Sequence, residues 1–305
     1  MSAEIDVTGY LARLGLPELA GHEPSVPALC ALHRTHAERV PYECLEIHLD
    51  RPTTICPADS VRRIVSGRGG YCYHLNGAFS ALLRALGYRV TRHVGGVQGN
   101  DAPAPEITAN HLVLTVSGLP SDESPDGDWL VDLGMGDGLH GPLPLVEGVH
   151  QSGPFRYGLR ASEVAPGGWR FDHDPSAGFR GMDFRAEPAR MSEFQERHVE
   201  LSTSPDSGFV QVAMAARRDA TGADVLRGLT LTRIGADPAR SELSDPKAYF
   251  DALADIFGIV LSPEDRAVLF PRVAGAHERW MRAQAGARAE TEAVGRPDLP
   301  MRMNL

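Results

Sequence analysis

Arg68-Gly69-Gly70-Tyr71-Cys72-Tyr73-His74-Leu75-Asn76-Gly77 is the stretch on which the reading of this chain turns. A single cysteine follows a glycine pair and opens a segment with helical periodicity. Leu75, Phe79, Leu82, Leu83 and Leu86 recur on one face, and Gly87 is placed to stop the helix. Two residues without Cβ let the backbone come in close. Cys72 then sits where unpaired N–H groups and the positive end of the helix dipole favour an anion. A thiol in that setting loses its proton readily, as a cysteine nucleophile requires. A buried cysteine at a tight turn fits these ten residues equally well. The choice rests on partners elsewhere in the chain.

The 305 residues leave room for one large core or for two or three packed subdomains. Apolar residues make up 42% and charged residues 23%, as in ordinary folded soluble proteins. The net charge of −10 argues against a nucleic-acid partner or an anionic membrane surface. No apolar run approaches the ~20 residues of a bilayer span. Met1-Ser2-Ala3-Glu4-Ile5-Asp6 lacks the basic and apolar regions of a signal peptide, so a cytoplasmic location is expected. The four cysteines, Cys30, Cys44, Cys56 and Cys72, include no CxxC pair. That spacing argues against a disulfide framework or a zinc knuckle, and reduced thiols are expected.

Along the chain, residues 1–87 read as mostly helical. Tyr10, Leu11, Leu14 and Leu16 mark a short amphipathic helix, and Ser25-Val26-Pro27 caps a second that Pro41 breaks. Pro57-Ala58-Asp59-Ser60 leads into a third. After Gly87 the period changes to that of strands. Strands are expected from Tyr88 to Gly96, His111 to Val116 and Trp129 to Leu133, with a polar, proline-bearing loop at 99–105 between the first two. The Gly/Pro-rich run to Phe209 carries strand-like pieces at Trp169-Phe171 and Phe209-Met214, which suits a sheet or small barrel. The last third mixes a strand, Leu229 to Ile234, with helices at 247–257, from Ser262-Pro263-Glu264-Asp265, and from Ala274 to Ala293. The end, from Gly295, reads as a frayed tail.

A cysteine nucleophile needs a base, and the base needs a group to hold its ring. His111 and Asp132 each stand at a strand edge, 39 residues after Cys72 and 21 after His111. The order Cys–His–Asp, with the cysteine on a helix, resembles that of papain-like enzymes. Asp132 lies in an apolar strand, where an unpaired carboxylate is costly, and that cost favours a partner. The other histidines fit less well. His74 is two residues from Cys72, so on a helix it points away from the thiol. His33 and His36 read as packing residues, and His93 as structural. His140, His150, His173 and His198 sit in turn-rich segments and read as surface positions. Asp137, among glycines, reads as a solvated turn. No metal-ligand spacing appears, and Gly134-Met135-Gly136-Asp137-Gly138 lacks the lysine of a phosphate-binding P-loop.

These residues resemble the arylamine N-acetyltransferase family. The quoted stretch matches its RGGxCxxxNG signature, and His111 with Val131-Asp132-Leu133-Gly134-Met135-Gly136 matches its histidine and VDVGFG segments. Pro41-Tyr42-Glu43-Cys44-Leu45 is similar to PFENL, and Thr203-Ser204-Pro205-Asp206-Ser207-Gly208-Phe209 to TSPxSxF. The resemblance runs from about residue 8 to 262. It implies an α+β fold in papain-like arrangement: a helical bundle (1–87) carrying Cys72, a β-barrel (88–209) carrying His111 and Asp132, an α/β lid (210–293), and a tail (294–305). It implies transfer of an acetyl or short acyl group from an acyl-CoA, acetyl-CoA as co-substrate, to an arylamine, hydrazine or related amine through an acyl-cysteine. Cys72, His111 and Asp132 would be catalytic. Gly134, Gly136, Ser207 and Phe209 would meet the CoA; Tyr42, Tyr73, Met135 and Phe209 would meet the acceptor. No metal is implied. Met135 stands where the family usually has phenylalanine, and a flexible side chain there suits a larger or less planar acceptor.

Two other reactions use the same three residues. Amide synthases related to the family release a polyketide chain from a carrier-protein thioester by intramolecular amide formation. A cysteine hydrolase would deacylate with water. The sequence leaves the acyl chain, the physiological acceptor and the oligomeric state open.

Overall fold

The structure, a computed structural model that describes residues 5–100, 102 and 104–293, begins with the helix α1 (Val7–Leu14). Asp6 caps it by accepting the Gly9 N–H at 2.7 Å, and Gly15 ends it. Ser25 caps α2 (Val26–Arg39) in the same way. The segment after Pro41 is extended and forms the short strand β1 (Tyr42–Glu43), followed by a single turn, α3 (Leu45–His48). Then come α4 (Pro57–Val65) and α5 (Cys72–Ala85). Tyr73, Leu75, Phe79, Leu82 and Leu83 of α5 are buried, so this helix is the centre of the first core.

The next eight strands are β2 (Arg89–Gly99), β3 (His111–Ser117), β4 (Trp129–Val131), β5 (Leu143–Pro144), β6 (Gly148–Ser152), β7 (Phe155–Ala161), β8 (Trp169–Asp172) and β9 (Phe179–Phe184). They form one antiparallel sheet in the order β5-β4-β3-β2-β9-β8-β7-β6. The expected sheet of the middle third is therefore present. β3 is central, with Leu112, Val113, Leu114 and Val116 all buried, so it shows no polar face. Its register with β2 sets Gly95 opposite His111.

Two short helices follow, α6 (Gln195–Thr203) and α7 (Gly208–Gln211). The expectation of a strand-like piece from Phe209 is corrected here. The Ser207 carbonyl accepts the N–H groups of Val210 and Gln211, and its hydroxyl accepts that of Phe209, so the chain turns helically and extends only from Met214. A second antiparallel sheet contains β10 (Met214–Asp219), β11 (Gly222–Arg227), β12 (Thr230–Gly235) and β13 (Ala239–Glu242), with β1 from the N-terminal part on its edge beside β10. The remaining helices, α8 (Pro246–Asp255) and α9 (Pro263–Ala293), help enclose a second core around Tyr249, Leu253, Phe257 and Leu269. The segments expected from Ser262 and from Ala274 are one continuous helix. The expected tail, 294–305, lies outside the described residues. Among the described residues no helix is long and apolar enough to cross a membrane.

Candidate active site

Cys72 is the first residue of α5. The N–H groups of His74 and Leu75 both donate to Tyr71 O, at 2.8 and 3.0 Å, which leaves those of Cys72 and Tyr73 outside the helical ladder. The turn before the helix is held by Glu43 N–H donating to Gly70 O at 3.0 Å. Space decides Gly70, because a Cβ there would stand 2.6 Å from that of His74.

β3 and the end of β4 bring the other two candidates to the thiol. His111, the first residue of β3, has Nε2 at 2.7 Å from Asp132 Oδ2, and both are buried. The Cys72 thiol donates to Asn110 O at 3.5 Å and lies beside the imidazole, and because Asp132 takes Nε2, Nδ1 is the ring nitrogen left for the sulfur. Burial alone would disfavour charge on His111. The Asp132 carboxylate, with help from Cys72, outweighs it and pushes the imidazole up to about 10. The ring is therefore an imidazolium at neutral pH, beside the Cys72 sulfur.

Asp132 follows the last residue of β4, so it marks the strand's end and not its interior. Its second oxygen accepts from Gly134 N–H at 2.8 Å and from Asn76 Nδ2 at 3.0 Å. Asn76 also donates to Leu112 O at 2.6 Å, while its Oδ1 accepts Leu133 N–H at 2.9 Å. One buried amide on α5 thus fixes both β3 and the turn after β4. On the far side, His33 Nε2 lies 3.3 Å from Asp132 N. Burial pushes His33 down to about 4, so its neutral ring can accept that N–H. The turn approaches α5 so closely that a Cβ on Gly134 would lie 2.6 Å from Cys72 Cα. The turn before β3 is equally constrained. Ala109, at φ 55°, accepts the Tyr73 hydroxyl at 2.6 Å, and Asn110 Oδ1 accepts Val97 N–H at 2.8 Å.

A cavity of about 140 Å³ opens beside Cys72 and His111. Tyr42, Gly134, Met135, Ser207 and Phe209 stand in its wall, as does Leu201 of α6. Two of the expected pocket residues do not. Tyr73 is fully buried, its hydroxyl is committed to Ala109 and its ring packs on Phe194 at 5.4 Å. Gly136 faces a smaller neighbouring cavity, which shares Tyr42 and Met135 with the first.

Three further expectations are corrected. His173 and His198 are buried, not at the surface, and Asp137 is 2% exposed, not a solvated turn. Asp137 accepts Gly178 N–H at 2.8 Å, and one of its oxygens is 3.5 Å from His173 Nε2. His198 Nδ1 lies 2.6 Å from the Tyr71 hydroxyl. Each owes its burial to a partner distant in sequence. Asn76, Asn110 and His33 carried no assignment beyond packing. Only Asn76 had a signal, as part of the motif around Cys72. Among the described residues no group of three or more His, Cys, Asp or Glu side chains is arranged to hold a metal ion.

Comparison with known proteins places the chain in a family. A family model described as N-acetyltransferase matches residues 25–266. An arylamine N-acetyltransferase from Mycolicibacterium smegmatis is 30% identical over 277 residues, 84% of this chain and 93% of its own length. The structure of the Mycobacterium marinum arylamine N-acetyltransferase in complex with CoA superposes with a TM-score of 0.76 at 28% identity, covering 89% of this chain and 99% of that one. Proansamycin X synthase from Amycolatopsis mediterranei is 32% identical over 134 residues, 42% of this chain and 48% of its own length. From the match over most of its length, this chain belongs to the arylamine N-acetyltransferase family.

Proposed function

We propose that Cys72, His111 and Asp132 carry out acetyl transfer from acetyl-CoA to an arylamine, hydrazine or related amine in two half-reactions. The observation that carries this reading is the line Cys72–His111–Asp132, with an imidazole pushed up to about 10 between thiol and carboxylate. In the first half-reaction the Cys72 thiolate attacks the thioester carbonyl, and the carbonyl π electrons move onto oxygen. The N–H groups of Cys72 and Tyr73, free of the helical ladder, would be the donors to that oxyanion. Collapse breaks the C–S bond to CoA, whose sulfur takes the proton from His111. In the second, the amine nitrogen attacks the acetyl-cysteine, neutral His111 accepts the amine proton, and the Cys72 thiolate leaves. Asp132 holds the ring throughout. The cavity walls at Gly134, Ser207 and Phe209 would receive the thioester end of the donor, and Tyr42, Met135 and Phe209 the acceptor.

Met135 and the partial likeness to proansamycin X synthase favour one second reading, release of a chain from a carrier thioester by intramolecular amide formation. One experiment separates the two. The protein is mixed with acetyl-CoA without amine, quenched and analysed by mass spectrometry of the Cys72 peptide. One added acetyl group on Cys72, discharged when an arylamine is supplied, is the expected result. An intact thiol after acetyl-CoA, with acylation only by a carrier-bound thioester, would reverse the assignment. Discharge at the same rate without amine would indicate a hydrolase.

A further inference from the structure

Tyr71 and His198 have no part in that chemistry, yet they tie the residues around the nucleophile to the cavity wall. The Tyr71 hydroxyl lies 2.6 Å from His198 Nδ1, and His198 Nε2 lies 2.9 Å from Thr53 O. A carbonyl only accepts, so Nε2 carries the hydrogen, Nδ1 is the acceptor and Tyr71 donates. Both ring nitrogens are satisfied in a single neutral tautomer, and burial, lowering the imidazole from its ordinary 6.5, keeps it neutral. The ring also stands edge-on to Tyr73 and His74, with centroids at 6.3 and 5.8 Å. His198 is thereby packed against the residues on both sides of Cys72.

The same pair reaches the cavity. The Tyr71 ring lies against Phe209, with centroids 5.0 Å apart. Phe209 stands in the cavity wall, as does Leu201, which shares a face of α6 with His198 three residues away. Neither His198 nor the Tyr71 hydroxyl bonds to Cys72, His111 or Asp132, whose own arrangement is fixed by Asn76 and Gly134.

We propose that His198, acting through Tyr71, is a positioning residue that holds the α6–α7 wall of the cavity against the start of α5. It sets how tightly the acyl thioester binds and leaves the reactivity of Cys72 unchanged. This rests on the reading of Cys72 as the residue that is acylated.

The test is single-turnover acylation by acetyl-CoA, followed by rapid quench, in Tyr71→Phe, His198→Leu and the double variant. The apparent dissociation constant for acetyl-CoA rises roughly threefold to tenfold in each single variant, about what one lost hydrogen bond is worth. The limiting acylation rate stays within about twofold. The double variant is no worse than the poorer single one, because both break the same link. The pH profile of Cys72 alkylation by iodoacetamide overlays that of the unsubstituted protein. Where His198→Leu does not fold, Tyr71→Phe carries the test, since it removes one oxygen and keeps the ring on Phe209. Unchanged affinity with a lower melting temperature would make the pair merely structural and overturn the proposal. So would independent effects in the double variant, or a displaced alkylation profile, which would put the pair's action on the nucleophile. If the unsubstituted protein forms no acetyl-Cys72, it is the functional reading that fails.

Discussion

At His111, burial and the ion pair with Asp132 pull in opposite directions and the pair wins. Burial penalises the imidazolium, but a carboxylate at 2.7 Å and a neighbouring thiol raise the ring to about 10. Because this lies above the ordinary 6.5, the bound proton stabilises the folded state fully below about pH 6.5. That contribution fades as the pH rises through the folded value. Asp132→Asn removes the charge but keeps the shape. Acyl transfer should fall by roughly 10³-fold or more, as when a base loses the group that orients it. Cys72 alkylation at pH 7 should slow, since a neutral imidazole no longer favours the thiolate. The melting temperature should drop most near pH 6, with the deficit shrinking towards pH 10. Thermal denaturation across that range checks it, and a deficit that grows with pH would refute it. Cys72, His111 and Asp132 could be named as candidates from the sequence because their chain order and the motifs around them resemble those of a known family, and the structure brings the three side chains together. His198 was not, because the Tyr71 hydroxyl that explains its burial is 127 residues away. Asp137 was misread for a similar reason, since glycine neighbours signal a turn and say nothing of what covers it.

The helix α5 does more than carry Cys72. Four residues along it, on the same face, Asn76 bonds to Leu112 O, Leu133 N and Asp132 Oδ1, so one side chain sets the distance from helix to sheet. Asn76→Ala would leave a buried N–H and a buried carboxylate oxygen short of a partner. The expected cost is about 2–3 kcal/mol, a fall of roughly 3–5 °C in melting temperature for a chain of this size. Acyl transfer should fall further than stability explains, because Asp132 loses one of the bonds that aim it. Calorimetry paired with the single-turnover assay measures both, and a stability loss with an intact acylation rate would show that Asn76 is structural only. Helices such as α5 were readable from their 3.6-residue period. α6 was not, having His198 as its single buried residue. β6 was missed because none of its residues is buried, so it lacks the alternation that marks a strand.

In the molecule as a whole, the segment 42–44 joins three parts. β1 pairs with β10 of the second sheet, Cys44 N–H donates to Met214 O at 3.1 Å, and Glu43 N–H holds Gly70 of the nucleophile's turn. Tyr42 meanwhile stands in the cavity wall. The Glu43 side chain anchors this junction. It is fully buried, accepts from Leu45 N–H at 2.8 Å, and pairs with Arg63 and Arg68 at 3.1 Å each; Arg68 also pairs with Glu46. Intact, such a network contributes little net stability, because desolvation offsets the attraction; losing one partner is costly, since the others stay buried. Glu43→Ala takes the carboxylate from Arg63, whose Nε stays on Gly69 O at 3.1 Å, and removes half of the Arg68 ion pairs. We expect a loss of about 3–5 kcal/mol, roughly 5–8 °C in melting temperature. Because β1 ties the N-terminal helices to the second sheet, that loss should appear as an earlier but still single transition. A calorimetric trace that splits in two, with the part after residue 210 melting at its original temperature, would show that β1 does not couple the two sheets. Acylation should weaken in step with the shared junction, since Gly70 and Tyr42 are displaced together. An unchanged cavity affinity in Glu43→Ala would mean that the glycine turn is held by the first core alone.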